Sequence, residues 1–449
     1  MVRTNIFLVH LPLASFMIRF LKPFLIFVVL YHLFVTVIRY GVLGWAYPEI
    51  PALGRDAIWL FFFAIILIAN FRTIKTYLKT WKRPWITLII ILLFGVGVSL
   101  LKGKWIYDIF VGIKYGLLYL FIFLSSTFLG RIFTEKNTNK FLKFLKYVLI
   151  TTLIVWFLRQ GLKFIWPDLF LKIGYGPFND FVFGVKPPIY YLTWYKWTPR
   201  RQGIFSWPNN YGYFLIAFLP AVMFFFKQKY EAIKKLMINN KKTIINISVA
   251  LLWILAIILT LSRTAFIGGI VGLAVINIQR IRKHKKIAIG IWIILLAGLV
   301  GLSILKWDST IGHIQAKFGS IKYVIDQPSG YGLGTSGPAV HFNGTILPEN
   351  YYIQLMLDIG TIGFLLRAVI ILQITRLARK IQKIFKTLKA NANIQTIYLI
   401  RTWLNIWRVS LLVMGMFLHV FEDSMVNYLF FVSRGILTWY LSTYIRKRD

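Results

Sequence analysis

PWITLIIILLFGVGVSLL, residues 84–101, is an apolar stretch without a single charged side chain. At a helical rise of about 1.5 Å per residue, it is long enough to cross roughly 30 Å of bilayer hydrocarbon. Comparable stretches recur along the chain, and 58% of the 449 residues are hydrophobic while only 15% are charged. A soluble domain has about 25% charged residues. The composition therefore indicates an all-α, polytopic integral membrane protein.

The same criteria of length and hydropathy, applied outward from this stretch, predict about twelve transmembrane helices. We expect them at about 23–43, 57–71, 84–101, 109–130, 143–160, 211–226, 244–261, 264–279, 287–305, 351–372, 402–420 and 425–445. Two long loops without clear helical periodicity remain, at 161–210 and 306–350. The expected organisation is a five-span N-terminal bundle (1–160), the loop 161–210, a core (211–375) that includes the loop 306–350, and a basic segment with the last two spans (376–449).

The basic residues predict the orientation of these spans. The net charge is +39, from 53 lysines and arginines against 14 acidic residues, and most basic residues fall in alternate short loops. Cytoplasmic loops carry such an excess. The pattern therefore places both termini in the cytoplasm and the two long loops on the outer face of the cytoplasmic membrane. Membrane lipid accounts for the charge, and we expect no nucleic-acid partner.

The chain contains no cysteine, and it has no spacing of histidine and acidic residues typical of a metal site. We therefore expect neither a metal nor a cofactor. The glycine-rich stretch 330–337 lacks the strand and lysine of a nucleotide-binding loop, and it is interpreted as a flexible loop. Arg408, His419 and Arg434 lie within predicted spans, where such residues either form structural pairs or line a cavity.

Two arginine motifs lie at predicted outer ends of spans. RRQGIFSWPN, residues 200–209, precedes one span, and Arg200 with Arg201 can form a bidentate anion site. The alternative for this pair is interfacial anchoring.

Residues 261–264 form a polar turn within an apolar run, and Arg263 lies at the membrane edge. An arginine there costs roughly 2.5–3.5 kcal/mol unless it snorkels or is paired, so it is either functional or a snorkelling turn residue.

The third motif is PENYYIQLMLDIGTIG, residues 348–363, at the predicted start of a span. Asn350, Gln354 and Asp358 share one face of the expected helix. Asp358 is expected about 13 Å inside the span at helical rise. A polar stripe at that depth should face the bundle interior or a wet cavity.

Because successive loops alternate between the two sides of the membrane, the predicted topology places these motifs and His341 at the same outer face. The set resembles the O-antigen ligase/polymerase family of bacterial membrane glycosyltransferases over about residues 200–375. The family pattern Arg-x-x-Gly-x-Phe-x-x-Pro-Asn is similar to the stretch with Arg200, Gly203, Phe205, Pro208 and Asn209. The family's Ser-Arg turn and its later span opening resemble Ser262-Arg263 and the stretch from Glu349-Asn350 to Gly363.

The resemblance implies transfer or polymerisation of polyprenyl-pyrophosphate-linked glycan units onto a sugar or other hydroxyl acceptor, without a metal. Its arginines would neutralise the pyrophosphate, with Arg263 in a catalytic role. The residues implied to bind pyrophosphate or glycan are Arg200, Arg201, Asn209, Asn350 and Tyr351.

Ligases that complete lipopolysaccharide have a histidine where this chain has Glu349. Either Glu349 or His341 is therefore the expected base, or a base matters little, and the departure favours polymerisation or another acceptor over lipid A core. A polysaccharide or lipid-linked oligosaccharide transporter, or flippase, is the alternative function. The polar motifs are concentrated at one outer face rather than spread through the middle of many spans, which favours an enzyme.

Overall fold

The computed structural model describes residues 50–69, 71–130, 135–172, 175–176, 191–192, 199–200, 208–218, 241–283, 307–337, 346–348, 350–387, 394–417 and 426–446, with a few single positions in 20–27 and 293–304. The described part is helical apart from turns, one antiparallel pair of two-residue strands and an isolated parallel bridge between Ser336 and Ile346. The predicted all-α class is confirmed. The number of twelve spans stays a prediction.

The elements in chain order are α1 (Ile50–Ala69), α2 (Phe71–Leu101), α3 (Ile106–Gly116), α4 (Leu118–Gly130), α5 (Glu135–Ile165), α6 (Pro167–Lys172), β1 (Tyr191–Leu192), β2 (Pro199–Arg200), α7 (208–218), α8 (Lys241–Thr260), α9 (Arg263–Lys283), α10 (Trp307–Asp326), α11 (Tyr351–Thr387), α12 (Ile394–Gly415), a π-helix (Val426–Phe431) and α13 (Val432–Arg446). The loop predicted at 161–210 thus contains the end of α5, α6 and the β-pair. Only part of it is described.

Three described helices are long and apolar enough to cross a membrane: Tyr77–Leu101 in α2, Lys140–Ile165 in α5 and Tyr351–Leu377 in α11. Helices α3 and α4 meet at an angle of 59° and make a fourth candidate if the bent pair counts as one span. All four overlap predicted spans. Many of their large apolar side chains are exposed, such as Leu93 and Leu158, as lipid-facing residues are.

Small residues bring the helices close together in the interior. A Cβ on Gly435 of α13 would lie 2.5 Å from the Ser126 Cβ of α4, so this pair needs glycine at the crossing. Helix α12 packs against α9, where the Ser410 hydroxyl donates to the Gly268 carbonyl at 2.9 Å. Helix α2 packs against α11, and Gln373 Nε2 donates to Thr87 Oγ1 at 3.1 Å.

The expectation that 306–350 lacks regular structure is wrong over Trp307–Asp326, which form α10. One side of α10 is apolar and exposed, and it carries Ile314, Phe318, Ile321 and Ile325. Thr310, Lys317 and Ser320 lie along one edge of this stripe and are at least half-buried. Charged residues between the apolar positions keep the segment too polar for a span, so a hydropathy criterion misses it. The exposed stripe fits a helix that lies in the membrane interface.

Candidate functional site

Helix α11 is broken at Gly360, whose φ of 68° and ψ of 178° are not helical. On a continuous helix, Tyr351 and Arg367 would be about 24 Å apart, more than their side chains can span. The Arg367 guanidinium carbon nevertheless lies 4.4 Å from the Tyr351 ring centre, and the Tyr352 and Phe364 rings are 6.2 Å apart. Residues 351–359, the half-helix, therefore fold back against residues 361–387, the long arm.

The glycine-rich segment 330–337 binds the end of the half-helix. The backbone N–H groups of Tyr331 and Gly332 donate to the carbonyls of Leu357 and Asp358, at 2.7 and 3.1 Å. The last carbonyls of a helix have no partner within it, so this segment caps the half-helix. The interpretation of 330–337 as a flexible loop is wrong, because it is a packed structural element. Gly334, with φ of 81°, is required there, since a Cβ would lie 2.3 Å from the Asp108 carbonyl oxygen.

The polar stripe of the third motif faces this same segment. Ser336 donates to Asp358 Oδ1 from its N–H at 2.9 Å and from its hydroxyl at 2.8 Å. The Gln354 side chain is buried against Gly337. Of the two expected surroundings, the bundle interior is therefore the one observed. Gln354 and Asp358 hold the half-helix to the segment before it.

The half-helix begins within the bundle and runs toward the Leu101 end of α2. At its start, the Tyr351 hydroxyl donates to the Gly116 carbonyl at the bend between α3 and α4, at 2.7 Å. At its end, Ile359 lies beside Gly95, and the capping segment is bound to Ser99, whose Oγ accepts from Leu333 N–H at 2.8 Å. Asp358 therefore lies nearer that end of α2 than Tyr351 does. Its depth of about 13 Å in the membrane stays a prediction.

Asn350 caps the start of the half-helix. Its Oδ1 accepts from the N–H groups of Tyr352 and Ile353 at 2.9 and 3.2 Å, as an N-cap residue does. Its Nδ2 donates to the Met416 carbonyl just after α12, at 2.9 Å. Tyr351, also predicted to bind substrate, is fully buried. Both side chains thus position the half-helix relative to its neighbours.

Arg263 begins α9, directly after a turn in which Leu261 has a positive φ of 46°. Its guanidinium donates to the Thr310 hydroxyl of α10. Two turns further along α10, the Lys317 ammonium lies 4.7 Å from the ring centre of Phe417, the neighbour of Met416. The pKa of Lys317 is lowered, mainly because the ammonium is partly buried and secondly because the positive charge of Arg263 is nearby. Arg263, Lys317, Asn350 and Phe417 are called the Arg263 cluster below.

Sequence reasoning missed Lys317, because the charges in 306–350 gave no reason to prefer one lysine. The spacing of Ile314, Phe318, Ile321 and Ile325 was the available signal. It predicts an amphipathic helix with Lys317 at the edge of the apolar face, one turn after Ile314 and two turns after Thr310.

The first motif reaches this region through α7. A Cβ on Gly212 would lie 2.5 Å from the Ala265 Cβ and 3.4 Å from the Ser262 Cβ, so α7 packs directly on the turn before Arg263. Asn209, on α7, is half-buried one turn before Gly212. For Arg200 the structure describes only the backbone, which pairs with Tyr191 in the β-pair. Arg201, His341 and Glu349 lie outside the described residues.

The Arg263 cluster therefore combines two cations, an aromatic ring and a capped helix start. Arginine and lysine beside a helix N-terminus attract an anion, because the guanidinium, the ammonium and the helix dipole all favour negative charge. Glu349 directly precedes Asn350 in the chain. Compared with models of known protein families and with curated protein sequences, the chain gives no significant match.

Proposed function

We propose that this protein transfers or polymerises polyprenyl-pyrophosphate-linked glycan units at the outer face of the cytoplasmic membrane. The proposal depends above all on one observation, the approach of Arg263 and Lys317 from two helices beside the capped start of the half-helix. The exposed apolar stripe of α10 supports a lipid-linked substrate, because it would hold the helix that carries Lys317 against lipid.

In the proposed reaction the acceptor hydroxyl oxygen attacks the anomeric carbon of the donor sugar. The bond from that carbon to the diphosphate oxygen breaks, and the electron pair leaves with the polyprenyl diphosphate. The hydroxyl proton passes to a base on the protein. Arg263 and Lys317 stabilise the negative charge that grows on the leaving diphosphate, the step at which preorganised cations contribute most.

Glu349 is the first choice as base, because it adjoins Asn350 and hence the Arg263 cluster. Nearby cations lower the pKa of a carboxyl group and make it a weaker base. His341, with an ordinary pKa of about 6.5, is the rival. Replacing each in turn, as Glu349→Gln and His341→Gln, decides between them, because the variant that lacks the true base loses the greater part of its turnover.

The test of the proposed function is an assay of purified protein with polyprenyl-pyrophosphate oligosaccharide, with products resolved by gel and mass spectrometry. A ladder of multiples with release of polyprenyl diphosphate indicates a polymerase, and single transfer to an added acceptor indicates a ligase. Arg263→Ala should abolish turnover, while Lys322→Ala, at an exposed position of α10, should not. Wild-type turnover in Arg263→Ala would contradict the proposal.

A transporter or flippase of lipid-linked glycans is a second candidate, and the broken helix α11 favours it. Discontinuous helices that start within the bundle form the substrate sites of many secondary transporters. The two functions differ in a vesicle experiment with the same donor. Movement of intact donor across the bilayer, without release of polyprenyl diphosphate, would establish the transporter and exclude the transferase.

A further inference from the structure

A cavity within the helical bundle is lined by three arginines. Arg367 comes from the long arm of α11, Arg408 from α12 and Arg434 from α13, and α4 closes another side. Aliphatic side chains such as Ile371 and Leu412 line the rest. Within the described residues, the lining of this cavity includes three cations and no carboxylate.

Arg367 is held in place from several directions. Its Nε donates to the Tyr119 hydroxyl at 2.5 Å, and its guanidinium carbon lies 4.4 and 5.5 Å from the ring centres of Tyr351 and Tyr352. Cation–π contacts of this kind orient a guanidinium and leave its positive charge in place. Its side chain is only 1% exposed. The charge is thus fixed at one wall of the cavity.

Arg408 and Arg434 approach from two other helices, and both are half-buried. The Arg434 guanidinium carbon lies 5.4 Å from the Phe123 ring centre. Guanidinium groups that face one cavity from three helices form a surface complementary to an anion. Guanidinium groups suit a phosphate in particular, because their planar donors bind its oxygens two at a time.

The cavity is separate from the Arg263 cluster. Met416, which binds Asn350, lies eight residues beyond Arg408 on the same part of the chain, about 12 Å along a helix. Tyr351 and Tyr352 stand between the two, with Arg367 against their rings. The apolar part of the lining, which includes Ile371 and Leu412, is suited to contact the hydrocarbon next to such an anion.

We propose that this arginine-lined cavity binds the phosphate-bearing headgroup of a membrane lipid, within the bundle and apart from the Arg263 cluster. The headgroup is either a polyprenyl diphosphate or that of an anionic phospholipid. The charged oxygens lie between Arg367, Arg408 and Arg434, and the lipid chain follows the aliphatic residues. The site does not require that the protein catalyse glycan transfer.

The test is equilibrium binding of radiolabelled geranylgeranyl diphosphate to purified protein in a neutral detergent. All variants are made in an Arg263→Ala background, so that binding at the Arg263 cluster does not contribute. Arg408→Gln and Arg434→Gln should each weaken binding about tenfold, the usual effect of losing one charge-assisted hydrogen bond. Arg376→Gln is the matched control, because Arg376 is exposed and directly follows Thr375 of the lining.

Competition by phosphatidylglycerol and by inorganic pyrophosphate identifies the ligand. Displacement by phosphatidylglycerol at equal concentration indicates a phospholipid site, and resistance to it indicates a site for the diphosphate; both outcomes support the proposal. Unchanged affinity in Arg408→Gln and Arg434→Gln overturns it. If either glutamine variant fails to elute as a single species, the lysine variant at that position replaces it, with a smaller expected loss.

Binding and turnover fail separately. Suppose that Arg434→Gln loses lipid binding and that the wild-type protein releases no polyprenyl diphosphate in the turnover assay. These results would support the lipid site in the cavity and contradict the transferase. Normal lipid binding in Arg434→Gln, together with turnover that is lost in Arg263→Ala, would contradict the lipid site and support the transferase.

Discussion

Lys317 shows how a single residue acquires a role from its surroundings. It is one of several lysines in a polar stretch, and only the turn pattern of α10 brings it over Phe417 and near Arg263. Burial and the neighbouring arginine disfavour its charged form. A bound diphosphate would favour that form again, so Lys317 is suited to bind an anion and then to release it.

The pH dependence of turnover should depend on Lys317. Because its pKa is lowered from 10.5, it loses its proton at a lower pH than an exposed lysine. Turnover and donor affinity should therefore fall as the pH rises through the lowered pKa of Lys317. Lys317→Arg should move the fall to higher pH, since arginine stays charged, and Lys317→Met should reduce turnover throughout. An alkaline profile that is the same in wild type and Lys317→Arg would contradict this role.

The break in α11 depends on Gly360. Gly360 combines a positive φ with an extended ψ of 178°, a conformation essentially limited to glycine, and a Cβ there would lie 2.5 Å from the Ser329 carbonyl group. Gly360→Ala should therefore lower the unfolding temperature of the purified protein and abolish turnover.

Gly319→Ala is the control for this substitution, because Gly319 is helical in α10 and a Cβ there would meet nothing within 4 Å. Alanine should be neutral or slightly stabilising at that position. Equal unfolding temperatures of Gly360→Ala and Gly319→Ala would show that the break does not need glycine.

The sequence predicted helices better than their interruptions. The hydropathy of 351–372 gives one continuous span, because Gly360 and Gly363 are apolar and small and hide the break. Only the contacts with Pro328, Ser329 and the capping segment make the break visible, and these are long-range. Gln354 and Asp358 of the polar stripe face inward, as predicted, whereas Asn350 caps the start of the half-helix. Ser336, the partner of Asp358, could not be chosen from the sequence, since serines are common and a spacing of 22 residues has no helical meaning.

At the scale of the whole molecule, the charge pattern predicts which ends of the helices face the outside. The chain contains no cysteine, so single cysteines can be introduced and labelled without background. Lys322→Cys on α10 should react with a membrane-impermeant maleimide in intact cells. Lys140→Cys at the start of α5 should react only after permeabilisation. Both lysines are exposed. The opposite pattern would reverse the topology and place the Arg263 cluster in the cytoplasm.

The sequence predicts only some of the residues that come from different helices to line the arginine-lined cavity. Arg408 and Arg434 were singled out as pair-forming or cavity-lining because they interrupt apolar spans, and they do line a cavity. Arg367 was missed, since near the end of a predicted span it resembles an ordinary boundary residue. The break at Gly360 turns it toward Tyr351, and no local pattern contains that information.

The capping of the half-helix has a consequence for the biosynthesis of the chain. Uncapped carbonyl groups are not tolerated in hydrocarbon, and those of Leu357 and Asp358 are bound by Tyr331 and Gly332. That segment in turn depends on Ser99 and Asp108, which are synthesised more than 200 residues earlier. All these partners precede the half-helix in the chain, so every group that caps its carbonyls has been synthesised before residues 351–359 emerge. The cap of the half-helix therefore needs no part of the chain that is made after it.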